Sequence, residues 1–285
     1  MANRNDEEQA KQREQAEQTQ RALERALDRM KSRIVVFSGK GGVGKTTIAV
    51  NLAYALAERK HRVGLLDADV TGPNVPQMTG IHEAPRADGA RLLPHERAGV
   101  KIVSLASMLP PGTAVIWRGP MRSKALEQLV SETEWGDLDV LIVDLPPGTG
   151  DEILTITQKT APQIAIVVTT PQEVALIDAR RAINFAQKLE IPTIGIVENM
   201  SGLICPHCGG RIELFGIDGG RREADRQGIA FLGAVPIDPA ARKGGDSGRP
   251  IVLADPAGLV ATAFDGIASK IEDMISSREA TEHRT

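Results

Sequence analysis

Nine residues, Gly39-Lys40-Gly41-Gly42-Val43-Gly44-Lys45-Thr46-Thr47, stand between an apolar run, Ile34-Val35-Val36-Phe37, and a helical pattern from Ile48 to Leu56. Strand, glycine loop, helix is the setting of a phosphate-binding loop. The glycines let backbone N–H groups turn inward around a polyphosphate, and the following helix adds the positive end of its dipole. Lys45 supplies a point charge to the β- and γ-phosphates, and the Thr46 hydroxyl completes a Mg²⁺ shell. Lys40, a second lysine within the loop, is the unusual residue. A loop that neutralises its own nucleotide has no need of it, so it is expected to answer a nucleotide held by a second copy of the chain.

The remainder of the chain fits the same fold. Arg62 to Asp67, Lys101 to Ala106, Asp139 to Asp144, Gln163 to Thr169, Thr193 to Glu198 and Ala230 to Val235 are near-continuous apolar runs. Such runs are expected of a parallel sheet covered on both faces. Helical patterns lie between them at 46–59, 120–133, 152–160, 172–189 and 219–227, and a last helix is expected at about 256–275. The prediction is an α/β fold: a mostly parallel twisted sheet with helices on both faces, in one ATPase domain over 33–276. Residues 1–32, rich in Gln, Glu, Arg and Ala, are expected to form a polar, partly helical tail with a narrow stripe at Leu23, Leu27 and Met30. A disordered tail is expected over 277–285.

Carboxylates close two of the strands. Val63-Gly64-Leu65-Leu66 ends in Asp67-Ala68-Asp69, and Val140-Leu141-Ile142-Val143 ends in Asp144. The carboxyl ends of parallel strands are where such sheets bind ligands. Asp67 is expected at the hydrated Mg²⁺, Asp69 at an attacking water, and Asp144 at the metal from the second strand. The segments Gly72-Pro73 and Pro146-Pro147-Gly148-Thr149-Gly150 are turn-rich candidates for loops that respond to the γ-phosphate. Asn199, with both a donor and an acceptor, is a candidate for the adenine edge. Pro236 and Asp238, at another strand end, are candidates for the loop covering the ring.

Cys205 and Cys208 are the only cysteines. So close a pair cannot staple distant parts of a fold, and the spacing points to metal or redox chemistry. A redox pair wants its first thiolate at a helix N-terminus, which Gly209-Gly210 disfavours. A zinc knuckle or an iron–sulfur site would each have half the usual four thiolates. Both of these readings require a partner's pair across a two-fold axis. His207 reads as a solvent-facing turn residue.

Taken together, these segments resemble the Mrp/ApbC family of P-loop ATPases, iron–sulfur cluster carriers of the MinD/ParA-like group with the deviant Walker A loop. The resemblance runs from about Ser32 to Leu253. It rests on the loop itself, on DADVTGPNVPQM at Asp67 to Met78, and on WRGPM at Trp117 to Met121. DLPPGTGD at Asp144 to Asp151, VTTPQEVALIDARRA at Val168 to Ala182, ENMSGLICPHCGG at Glu198 to Gly210 and VPIDP at Val235 to Pro239 complete it. It implies a homodimer bridging a labile 4Fe–4S cluster through Cys205 and Cys208 of both subunits, handed on to apo iron–sulfur proteins. It also implies ATP bound at Gly39 to Thr46, with Lys40 as the signature lysine and slow hydrolysis.

Two other functions compete with a carrier: a MinD- or ParA-like positioning switch on membrane or DNA, and an ATPase dimer clamped by zinc. A net charge of −3 gives no global attraction to nucleic acid or anionic lipid. Aromatics at 3% leave few platforms for stacking bases. The last helix carries Asp265, Lys270, Glu272 and Asp273 on its polar face and lacks the basic face of a membrane-surface helix. No nucleic-acid or membrane partner is expected. Met1 to Gln20 has no apolar segment of the signal-peptide kind, so a cytoplasmic protein is expected.

Overall fold

The structure, a computed structural model, describes residues 14, 17–69, 72–89, 91–105, 119–205 and 207–282. Trp117 and Arg118 of the WRGPM segment, Val70 and Thr71 just before the candidate loop at Gly72-Pro73, and Pro206 between the cysteines lie outside the described residues.

The central strand, β1 (Met30–Phe37), has β7 (Leu138–Asp144) on one side and β8 (Ile164–Thr169) on the other, both parallel to it. Beyond β7 come β2 (Val63–Asp67) and β6 (Val100–Ser104), again parallel. Beyond β8 comes β9 (Thr193–Ile204), which pairs parallel with β11 (Ala230–Ile237). Two short antiparallel strands finish the sheet: β5 (His95–Arg97) on β6, and β10 (Arg211–Ile212) on the far end of β9. A separate small hairpin pairs β3 (Arg86–Asp88) with β4 (Arg91–Leu93).

Alternation of side chains across the pleat explains why the strands are apolar throughout. Ile34 and Val36 of β1 face one core, while Val35 and Phe37 face the other. The first core packs β1, β7 and β8 against α2 (Lys45–Glu58), α9 (Ile251–Ala254) and α10 (Leu259–Glu282). The second packs the opposite face against α1 (17–27), α4 (Gly119–Glu132), α5 (Asp151–Thr160) and α6 (Glu173–Lys188). The remaining helices are α3 (Val75–Thr79), α7 (Gly219–Gln227) and α8 (Pro239–Asp246).

The structure departs from the expected boundaries at both ends. Leu23 and Met30 are each only 2% exposed, so the narrow stripe in 1–32 packs into the second core, and β1 begins at Met30. The last helix continues to Glu282, past the expected end near Ile275 and into the segment expected to be a tail. The strands β3, β4, β5 and β10 went unforeseen because they are two or three residues long, too short to show a period. No helix among the described residues is long and apolar enough to cross a membrane.

Candidate functional site

The phosphate-loop segment leaves the carboxyl end of β1 and enters α2 at Gly44. Gly42 and Gly44 have φ of 81° and 84°, a left-handed backbone natural only to glycine. At Gly39 the constraint is space: a Cβ would collide with the carbonyl oxygen of Asp178 on α6. The loop is therefore seated against α6 as well as β1.

Asp144 stands beside Val36 in the β1–β7 register and beside Asp67 in the β2–β7 register. Adjacent parallel strands thus deliver two carboxylates side by side beneath the loop. Asp144 accepts from Lys45 Nζ at 2.7 Å and from Thr46 Oγ1 at 2.7 Å. Lys45 Nζ also lies 3.9 Å from Asp69 Oδ2. Asp67 accepts from Ser104 Oγ at 2.8 Å and from the Asp69 N–H at 3.1 Å. The Gly72 N–H in turn donates to Asp69 Oδ1 at 3.1 Å. Burial, with the charge of Asp144 adding to it, raises the Asp67 carboxyl above the usual carboxylate range. Burial likewise raises Asp144, against the opposing pull of the Lys45 ammonium. A buried carboxylate pair with a hydroxyl is the hard oxygen donor set of a Mg²⁺ site, and Thr46, Asp67 and Asp144 fit that ion.

Above them opens a cavity of about 670 Å³. It brings together Gly41, Gly42, Gly44, Lys45, Thr46, Thr47, Asp69, Asn199, Pro236 and Asp238 from the expected set. Gly39, Lys40, Val43, Asp67 and Asp144 do not line it, nor do the cysteines. Lys40 is half-buried beside the cavity, and its carbonyl accepts from Ser38 Oγ at 2.8 Å.

Two of the expected base-binding residues have structural work in addition. Asn199, 7% exposed, donates from Nδ2 to the Val43 carbonyl at 2.9 Å and so braces the loop from β9. Asp238 caps α8, accepting from the Ala240 N–H at 2.6 Å. The cavity also recruits residues that the sequence reading missed: Gln77 of α3, Arg242 of α8, and Met200, Leu214 and Phe215 flanking the cysteine segment.

The cysteines occupy the tip of the β9–β10 hairpin. The Cys205 N–H donates to the Gly210 carbonyl and the Gly209 N–H to the Cys205 carbonyl, each at 2.9 Å, closing a tight knuckle. Cys205 is half-buried and Cys208 exposed. The backbone N–H groups of His207 and Cys208 turn toward the Cys205 sulfur and hold its thiol below the ordinary value. That favours the thiolate, which is the form that binds metal. Among the described residues no three or more His, Cys, Asp or Glu side chains gather to hold a metal ion.

The family model described as ParA: NUBPL iron-transfer P-loop NTPase matches residues 29–272. An iron–sulfur cluster carrier protein of Pyrococcus horikoshii is 47% identical over 253 residues, covering 85% of each chain. The iron–sulfur cluster transfer protein NUBPL of Dictyostelium discoideum is 44% identical over 249 residues, 86% of this chain and 77% of that one. A nucleotide-binding protein of Archaeoglobus fulgidus, solved in complex with ADP, is 36% identical with a TM-score of 0.73, over 81% of this chain and 91% of the other. With the loop, its carboxylate pair and the cysteine knuckle on one α/β sheet, the chain belongs to the NUBPL iron-transfer P-loop NTPases.

Proposed function

We propose that the protein is an ATP-dependent iron–sulfur cluster carrier. Two copies hold one labile 4Fe–4S cluster through Cys205 and Cys208 of each, and pass it to apo iron–sulfur proteins. The observation that carries this reading is the knuckle: two accessible thiols, one with its thiolate favoured, supply half of the four that a cubane cluster takes. The names of the relatives in Pyrococcus horikoshii and Dictyostelium discoideum support it.

ATP is the substrate of the cavity. Its phosphates lie on the loop N–H groups of Gly41 to Thr46, and Lys45 turns from Asp144 to the β- and γ-oxygens. Bound Mg²⁺ would be held by Thr46, Asp67 and Asp144, and would neutralise charge that builds on the phosphates. Asp69 orients the attacking water. Asn199, Pro236 and Asp238 border the base. Lys40, which stands outside its own chain's cavity, reaches the nucleotide of the second copy, so hydrolysis waits on pairing and is slow.

Anaerobic reconstitution tests the carrier. About four irons and four sulfides should bind per dimer, with broad absorption near about 400 nm. Cys205→Ser or Cys208→Ser should abolish this and leave ATP binding nearly unchanged. Holo-protein mixed with a cluster-requiring apo-enzyme should restore that enzyme's activity. One tightly held, non-transferable zinc per dimer would overturn the reading in favour of a structural clamp. ATP-dependent retention on vesicles or DNA without iron would favour a positioning ATPase.

A further inference from the structure

Glu198 is fully buried on β9, immediately before the loop brace Asn199. Neighbouring residues on a strand face opposite ways. Asn199 turns to the phosphate loop, and Glu198 turns to the cysteine segment. Its Oε1 accepts from Ser201 Oγ at 2.6 Å and from the Asp218 N–H at 3.0 Å, and its Oε2 accepts from the Gly220 N–H at 2.6 Å. All three donors are neutral. Ser201 begins the excursion that carries the cysteines, and Asp218 and Gly220 end it at the start of α7. One carboxylate therefore ties both roots of residues 201–218, and Gly220 sits so close that a Cβ there would lie 3.0 Å from that of Glu198.

The excursion is also in register with the nucleotide cavity. Asn199 pairs with Val235 and Leu203 with Ile237, so three residues of β9 bulge against one of β11. Met200 and Gly202 in that bulge have φ of 57° and 78°. A non-glycine residue held left-handed stores strain at a place where the backbone can switch. Met200, on the way out to the cysteines, and Leu214 and Phe215, on the way back, all line the cavity. The segment whose tip holds the thiols therefore forms part of the cavity wall.

We propose that Glu198 is a positioning residue for cluster transfer: its clamp on both roots of the cysteine hairpin makes the thiols respond to the nucleotide. The proposal rests on the carrier reading for its purpose and on the hairpin geometry for its mechanism.

The test compares wild type, Glu198→Gln, Glu198→Asp and Ser201→Ala as full chains at saturating nucleotide, so that altered affinity cannot mimic altered coupling. Glutamine keeps the shape but turns an NH₂ toward N–H donors, breaking part of the clamp. Two quantities are measured, each with and without Mg–ATP: the rate of cluster transfer to an apo acceptor, and the rate at which iodoacetamide alkylates Cys205 and Cys208 in cluster-free protein. In wild type both should change by roughly fivefold or more, the lower range of coupling between sites. Glu198→Gln should bring both ratios to near one, Ser201→Ala should reduce them, and Glu198→Asp should restore part of the response. A merely structural glutamate would alter melting or loading and leave the ratios unchanged. Should Glu198→Gln fail to fold, the single lost bond in Ser201→Ala decides the matter through the same ratios. Wild-type alkylation indifferent to nucleotide, or ratios preserved in a folded clamp variant, would overturn the proposal. Wild type that loads no iron and sulfide while alkylation still follows nucleotide would overturn the carrier reading and leave the clamp.

Discussion

Lys45 spends its charge on Asp144 at 2.7 Å, with Thr46 on the other oxygen of the same carboxylate. Both partners are buried, so an unpaired member would be costly. Lys45→Ala should therefore lower ATP affinity on the order of 10²-fold, as expected when a charge-assisted contact is lost; equilibrium titration with a fluorescent analogue checks it. Lys40→Ala should bind ATP nearly as well as wild type yet hydrolyse it on the order of 10²-fold more slowly, if its target lies on a second copy. Normal turnover in that variant would refute the cross-subunit role. Asp144→Asn should cost on the order of 10²-fold in turnover and less in affinity; equal losses would mark the carboxylate as structural. The loop, Asp67, Asp69 and Asp144 were legible because each interrupts or ends an apolar run where charge is otherwise absent. Ser104, Met200, Leu214 and Phe215 were not, because they reach the site through tertiary proximity rather than any local pattern. The brace from Asn199 to Val43 was not legible either, because that hydrogen bond arises from contact across 156 positions of sequence.

Among the elements, the inner strands were predictable to within a few residues because burial on both faces leaves them continuously apolar; β9 is the exception, expected to end at Glu198 but continuing to Ile204. The edges were not, since β5 and β10 are only two or three residues long and depend on a neighbouring strand for their existence. At the end of the sheet opposite the site, charge does what apolar burial does within. Asp139 on β7 accepts from the Arg62 guanidinium at 2.9 and 3.1 Å and from the Arg62 N–H at 2.9 Å, while Lys31 on β1 lies 3.0 Å away. Three adjacent strands are clasped there. The Arg62 guanidinium, aided by Lys31, holds the Asp139 carboxyl well below the usual carboxylate range. A carboxyl lowered in the folded state lends stability above its unfolded pKa of about 3.9 and loses it as pH falls toward the folded value. Asp139→Asn should thus cost about 1 kcal/mol near neutrality, since the partners are half-exposed. The difference in melting temperature from wild type should hold above about pH 5 and shrink as the solution is taken toward about pH 2. A difference independent of pH would assign the loss to packing.

For the molecule as a whole, the two chemistries lie on one continuous strand: β9 braces the phosphate loop at Asn199 and reaches the cysteine knuckle just beyond Ile204. The exposed apolar residues Ile204, Ile212 and Leu214 surround the same hairpin, and Val174 and Ile177 stand on α6, which seats the loop. The fold class was readable from the loop and the strand runs alone, because a parallel sheet leaves few alternatives once its first strand is identified. The spatial union of the hairpin with the cavity was not, because it depends on a bulge that no composition records. The roots of residues 201–218 meet on a single carboxylate. Joining two points already close together costs only loop-closure entropy, which rises slowly with length. The hairpin is therefore a cassette: the turn between Ile204 and Arg211 can change in length or sequence at little entropic cost, while the inner strands keep their register.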